Sequence, residues 1–162
     1  MATANKNLSD HDPNSVPNAN DMVFGIVVSE WNGNITSGLL QGAYATLLKY
    51  GAKEENIIVK YVPGAYELPL GAQILFEKTN VDAVICLGSV IQGETKHFDF
   101  VCQGAALGIK DVALKFNKPT VFGVLTDNTL QQAIDRSGGK HGNKGDEAAV
   151  TAIKMVAFQR KI

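Results

Sequence analysis

Four short segments hold the residues best suited to chemistry. They are Glu30-Trp31-Asn32-Gly33-Asn34, Pro63-Gly64-Ala65-Tyr66-Glu67, Val90-Ile91-Gln92-Gly93-Glu94-Thr95-Lys96-His97 and Leu125-Thr126-Asp127-Asn128. The third is the most informative. Gly93-Glu94-Thr95 lies where a helix is expected to open, so free backbone N–H groups and the positive helix end converge on an anion there. Thr95 is either a hydroxyl donor to that anion or an N-cap, and the two readings are compatible. His97 falls two residues later, in the first helical turn, within reach of a ligand at the helix end. That placement suits a general acid/base, and equally an exposed histidine at a helix start. Trp31 can stack on a flat heterocycle or fill a subunit contact. Asn32 and Glu67 can together hold a polyhydroxylated chain, although singly each also reads as a turn residue or a helix-start acid. Late in the chain Arg136, Lys140 and Lys144 cluster around GGKHGNKG, whose glycines suit a backbone nest. A guanidinium there can clamp a phosphate in bidentate fashion, or simply complement a helix C-terminus.

These segments need elements to carry them. Apolar runs at 22–29, 56–62, 82–89 and 119–125 read as strands. Helix-period segments follow at 35–50, 67–78, 97–116, 128–136 and 146–161. In the first helix Ile35, Leu39, Leu40, Ala43, Leu47 and Leu48 share one face, and Gly51 supplies the stop. Apolar strands alternating with helices predict a four-stranded parallel sheet in a three-layer α/β/α sandwich, flavodoxin-like in class. Ligands of such sheets sit outside the carboxyl ends of the strands, which is where the four segments fall. A flavodoxin-type FMN site is disfavoured. Its phosphate loop needs hydroxyls after the first strand, and this chain has SEWNGNIT, with Glu30 and Trp31 in the way.

Residues 1–21 contain five Asn, three Asp and two Pro with no periodicity, which predicts a mobile tail ahead of a domain at 22–162. The formal net charge of -1 argues against a nucleic-acid or membrane-coating protein. There is no apolar run of bilayer length and no apolar signal-peptide core. Cys86 and Cys102 lack metal or disulfide spacing, and His11, His97 and His141 are scattered. No metal site is expected, and both thiols are expected to stay reduced, as in a cytoplasmic protein.

Long ordered motifs carry a resemblance. VPGAYELPL at 62–70, LGSVIQGETKHFDFV at 87–101, FGVLT at 122–126 and QAIDRSGGKHGNKGDEAA at 132–149 make the chain similar to the lumazine synthase family of riboflavin biosynthesis. Two positions depart from the family pattern: Gln92 where Arg is usual, and Trp31 where Phe is usual. The resemblance implies condensation of 5-amino-6-ribitylamino-2,4-pyrimidinedione with 3,4-dihydroxy-2-butanone 4-phosphate, without metal or organic cofactor. It implies that Trp31 stacks on the pyrimidine and that Asn32 lies beside the ribityl chain. Ala65 and Tyr66 offer backbone contacts, and Glu67 binds ribityl hydroxyls. Ser89, Val90 and Ile91 line the heterocycle edge. Glu94 and Thr95 bind phosphate, and His97 donates a proton. Phe122, Arg136 and Lys144 come from an adjacent subunit, with Arg136 on the phosphate. The resemblance further implies a homopentamer, with twelve pentamers forming an icosahedral capsid in some members, and riboflavin synthase as a candidate partner. The rival expectation is a flavin-binding or container protein that keeps the fold without turnover.

Overall fold

The computed structural model describes residues 6–162. Four parallel strands form the sheet: β1 (Phe24–Ser29), β2 (Ile57–Val62), β3 (Ala83–Ile91) and β4 (Thr120–Asp127), in the order β2-β1-β3-β4. Five helices surround it: α1 (Gly33–Lys49), α2 (Leu68–Lys78), α3 (His97–Phe116), α4 (Leu130–Arg136) and α5 (Lys144–Arg160). The period-2 alternation of a strand divides the core in two. Phe24, Ile26 and Val28 of β1, with Ala83, Ile85 and Leu87 of β3, meet Ile35, Leu39 and Leu47 of α1 and Ala149, Ala152 and Ile153 of α5. Val27, Val84 and Cys86 face the other way and meet Leu68, Ala72 and Leu75 of α2 and Ile109 of α3. These are the three layers expected of the α/β/α class. No helix among the described residues is long and apolar enough to cross a membrane.

The central strands β1 and β3 are buried on both faces, as continuous apolar runs imply. The run in β2 belongs to an edge strand instead, with Lys60 and Tyr61 exposed. The helix expected from 128 opens at Leu130, because Thr129 is its N-cap and its Oγ1 accepts from Gln132 N at 3.2 Å. The glycine loop folds into a small antiparallel hairpin, Ser137–Gly139 with Gly142–Asn143. Gly138 (φ 118°) and Gly142 (φ 80°) supply the left-handed backbone that turn requires. Asn143 then caps α5 by accepting from Gly145 N at 2.8 Å.

The segment expected to be a mobile tail is docked where it is described. Leu8 N donates to His141 O (2.8 Å), and Ala19 N donates to Tyr50 O (2.8 Å). Ser9 Oγ donates to Asp146 Oδ2 (2.5 Å) and accepts from Asn143 N (3.0 Å). His11 Nε2 meets Tyr50 Oη at 2.5 Å, and Ala19 is fully buried. Singly spaced polar anchors hold this segment, a pattern that hydrophobic periodicity does not register. Residues 1–5 of the expected tail lie outside the described residues.

Candidate active site

The carboxyl ends of β1, β2 and β3 open into a cavity of about 660 Å³, a volume typical of small-molecule sites. Its walls include Trp31, Ala65, Tyr66, Glu67, Ser89, Val90, Ile91, Thr95 and His97. Nine residues singled out from three separate loops therefore share one space. Sheet-like pairing runs past β1 into the first loop, since Glu30 N donates to Val62 O (2.8 Å) and Trp31 N to Pro63 O (3.1 Å). The Trp31 indole is thereby mounted on a fixed backbone yet remains 73% exposed.

Asn32 follows in the left-handed region, at φ 58° and ψ 45°. Asn tolerates that conformation better than most residues, and such strain persists only where the surroundings hold it. Here its Nδ2 donates to Ser89 O (2.9 Å), and its carbonyl accepts from Ile35 N (2.8 Å) and Thr36 N (3.0 Å). Asn32 thus spends its side chain on linking the first loop to the end of β3, and it is not among the cavity walls.

The second loop forms a short 3-10 turn, Ala65–Glu67, leading into α2. Its position depends on Gly104 in α3. A Cβ there would stand 2.5 Å from Tyr66 Cε2, so the glycine lets the Tyr66 ring lie against the helix. Sequence reasoning passed over Gly104, since nothing local marks it.

In the third loop α3 opens at His97 with Lys96 as N-cap, two residues beyond Thr95. The Thr95 Oγ1 accepts from His97 N at 3.3 Å, so it does the work of a cap from outside the helix. Gln92 N is taken by Asp127 O (2.9 Å). The amides of Gly93, Glu94, Thr95 and Lys96 have no protein acceptor among the described residues. Consecutive unpaired N–H groups beside a 20-residue helix N-terminus are the donors that an anion site requires. Glu94 is exposed beside it and is not among the cavity walls. His97 is likewise exposed, and it is one of the residues that line the cavity.

Phe122, Arg136 and Lys144 are elsewhere in the chain. Phe122 and Lys144 line a second cavity of about 770 Å³ along the free edge of β4, walled also by Leu114, Met155 and Phe158. Lys144 Nζ is 2.8 Å from Glu147 Oε1. Arg136 ends α4 and lines neither cavity. Its Nη1 donates to Gln132 O (3.0 Å) and stands 3.8 Å from Asp127 Oδ1. Asp127, which sequence reasoning assigned no role, is buried, and burial raises its carboxyl above the ordinary range while Arg136 pulls it back.

Residues 21–160 match the family model for 6,7-dimethyl-8-ribityllumazine synthase. The chain belongs to the 6,7-dimethyl-8-ribityllumazine synthase family. It is 60% identical to the protein of that name from Cytophaga hutchinsonii, with 97% of this chain and 98% of the relative covered. It is 59% identical to the Parabacteroides distasonis protein, over 98% and 99% of the two chains. The Porphyromonas gingivalis protein is 52% identical, over 99% of each. Gln92 opens the third loop, directly after β3. Its side chain turns onto Gly93 O (3.3 Å), and its main chain is fixed by Asp127.

The titratable groups narrow the chemistry. Burial pushes the Cys86 thiol far up, and burial together with Asp99 pushes Cys102 up. Neither is an activated nucleophile. No group of three His, Cys, Asp or Glu side chains among the described residues is placed to hold a metal. Around the first cavity stand the Trp31 indole, the Glu67 carboxylate, the Thr95 hydroxyl and the His97 imidazole.

Proposed function

We propose that this chain condenses 5-amino-6-ribitylamino-2,4-pyrimidinedione with 3,4-dihydroxy-2-butanone 4-phosphate, giving 6,7-dimethyl-8-ribityllumazine, phosphate and water. The observation that carries the reading is one cavity whose lining brings together an exposed indole, residues of the loop of unpaired amides and an imidazole. The pyrimidine stacks on Trp31, and the ribityl hydroxyls donate to Glu67. The backbone of Ala65, Tyr66, Ser89, Val90 and Ile91 borders the heterocycle. The phosphate accepts from the main chain of Glu94 and Thr95 and from the Thr95 hydroxyl. His97 then delivers and removes protons as the imine forms, phosphate leaves and the ring closes. Such steps need positioned acid/base groups more than a strong nucleophile.

In this reading each site spans two subunits. Phe122, Arg136 and Lys144 of one subunit complete the cavity of the next, with Arg136 on the phosphate. Exposed apolar side chains support the arrangement: Leu70 and Ile74 on α2, Phe100, Leu107 and Leu114 along one stripe of α3, and Phe158 and Ile162 on and after α5. Large apolar side chains left uncovered in this number suit burial against a neighbouring subunit. We read the ring as a pentamer in the cytoplasm, assembling into an icosahedral capsid, with riboflavin synthase as a candidate companion. Native mass measurement distinguishes pentamer from capsid. For the reaction, purified protein is mixed with both substrates and lumazine absorbance is followed. A rate above the spontaneous one supports the reading, and no gain defeats it. Riboflavin binding without product formation would favour the container alternative.

A further inference from the structure

Asp127 is the buried acid that the reaction as described does not use. It closes β4 in register with Ile91, and its carbonyl accepts from Gln92 N. The backbone under it is therefore fixed on two sides. Its carboxyl is 7% exposed as a residue, with Oδ2 buried and without a hydrogen-bond partner. Among the described residues its one ion-pair partner is the Arg136 guanidinium, at 3.8 Å from Oδ1. The guanidinium, in turn, is engaged on one nitrogen alone. Nη1 faces Asp127 and donates to Gln132 O, while Nε and Nη2 have no partner among the described residues. Those two nitrogens form the flat edge that grips two oxyanion oxygens at once.

We propose that Asp127 is a positioning residue that fixes the plane of Arg136 so that its Nε/Nη2 edge is presented to the substrate phosphate. The inference rests on the reading of Arg136 as the phosphate-binding arginine lent to the adjacent site. An arginine at the end of a seven-residue helix has many rotamers to lose on binding. An acid on a rigid strand removes much of that freedom beforehand. The opposing effect is charge: Asp127 also offsets part of the arginine's attraction for phosphate. The carboxylate lies on the Nη1 side, away from the gripping edge, so orientation outweighs neutralisation.

The test is a double-mutant cycle on the assembled enzyme, using Asp127→Asn, Arg136→Ala and both together. Asp127→Asn is expected to raise KM for the butanone phosphate on the order of 5-fold. The KM for the pyrimidinedione should hold, and inhibition by inorganic phosphate should weaken in parallel. In the Arg136→Ala background the same change should do nothing further. Equal effects in both backgrounds, or tighter phosphate binding in Asp127→Asn, overturn the proposal while leaving the role of Arg136 intact. If Arg136→Ala itself spares phosphate use, the assignment of Arg136 fails and the proposal with it. Asp127→Ala, tested alongside, guards against misfolding of one variant: any folded variant with unchanged phosphate inhibition also overturns it.

Discussion

Shared sites can be tested by complementation between two defective subunits. His97 lies on the cavity rim at the start of α3, whereas Arg136 ends α4 and touches no part of that cavity. On the proposed role of Arg136, Arg136→Ala removes a charge-assisted contact worth about 1.5–3 kcal/mol, or roughly 10- to 150-fold at low concentrations of the phosphorylated substrate. His97→Ala should slow turnover by about 10²-fold or less, since positioning supplies much of the rate. Each parent assembly is therefore nearly silent under those conditions. Refolded together in equal amounts, the two chains assort at random around a head-to-tail ring. About a quarter of the sites then pair an intact His97 with an intact Arg136 from the neighbour. Lumazine formation per chain should recover to about a quarter of the unmutated rate, above either parent. A mixture that only averages its parents would refute the argument, because it would mean that both residues serve the same chain's site.

Other outcomes follow from single contacts. Gly104→Ala should favour the helix by about 1 kcal/mol on propensity, yet its Cβ would meet the Tyr66 ring at 2.5 Å. Its expected signature is a raised KM for the pyrimidinedione with little change in Tm. Ser9→Ala deletes the bond to Asp146 and leaves Asn143 N without its acceptor, so urea unfolding should show a loss of about 1–3 kcal/mol. Asp127 contributes to pH dependence with a definite sign. Its carboxyl titrates higher in the folded protein than in the unfolded chain, so the folded state binds the extra proton. Its stabilising share is complete below the unfolded value and is lost as pH rises through the folded one. The stability of the unmutated protein relative to Asp127→Asn should accordingly fall as pH rises from acid towards neutral, and a rising difference would contradict this. A thiol reagent should titrate at most one cysteine in the native protein and both in denaturant, since Cys86 is fully buried.

Legibility from sequence followed the physics of each element. The helix His97–Phe116 and the central strands were readable because burial on one stripe, or on both faces, leaves a periodic or continuous apolar record. The edge character of β2 was not, because its run is apolar enough to pass for a central strand. The docking of residues 6–21 was hidden for the opposite reason: it rests on isolated groups such as Ser9 and His11 meeting partners more than thirty positions away. Nine of the predicted site residues share the cavity because they lie at the carboxyl ends of strands or in the loops that follow, where topology alone collects them. Asp127 was noted only as part of a post-strand segment and given no role, and Gly104 was passed over, since their significance lies in which side chain from another element stands beside them.

The β3–β4 pair is where the amide loop and the helix bearing Arg136 meet the sheet. Ile91 and Asp127 are aligned at its carboxyl end, and Asp127 O fixes Gln92 N. The loop of unpaired amides departs from one strand of this pair, and the helix bearing Arg136 departs from the other. In the proposed ring these two structures serve different sites, the amides the chain's own and the guanidinium the neighbour's. A shift at this one strand end would therefore disturb phosphate binding in two sites at once. Rigidity is what such a junction requires, and a buried carboxyl held against a single guanidinium tolerates displacement poorly.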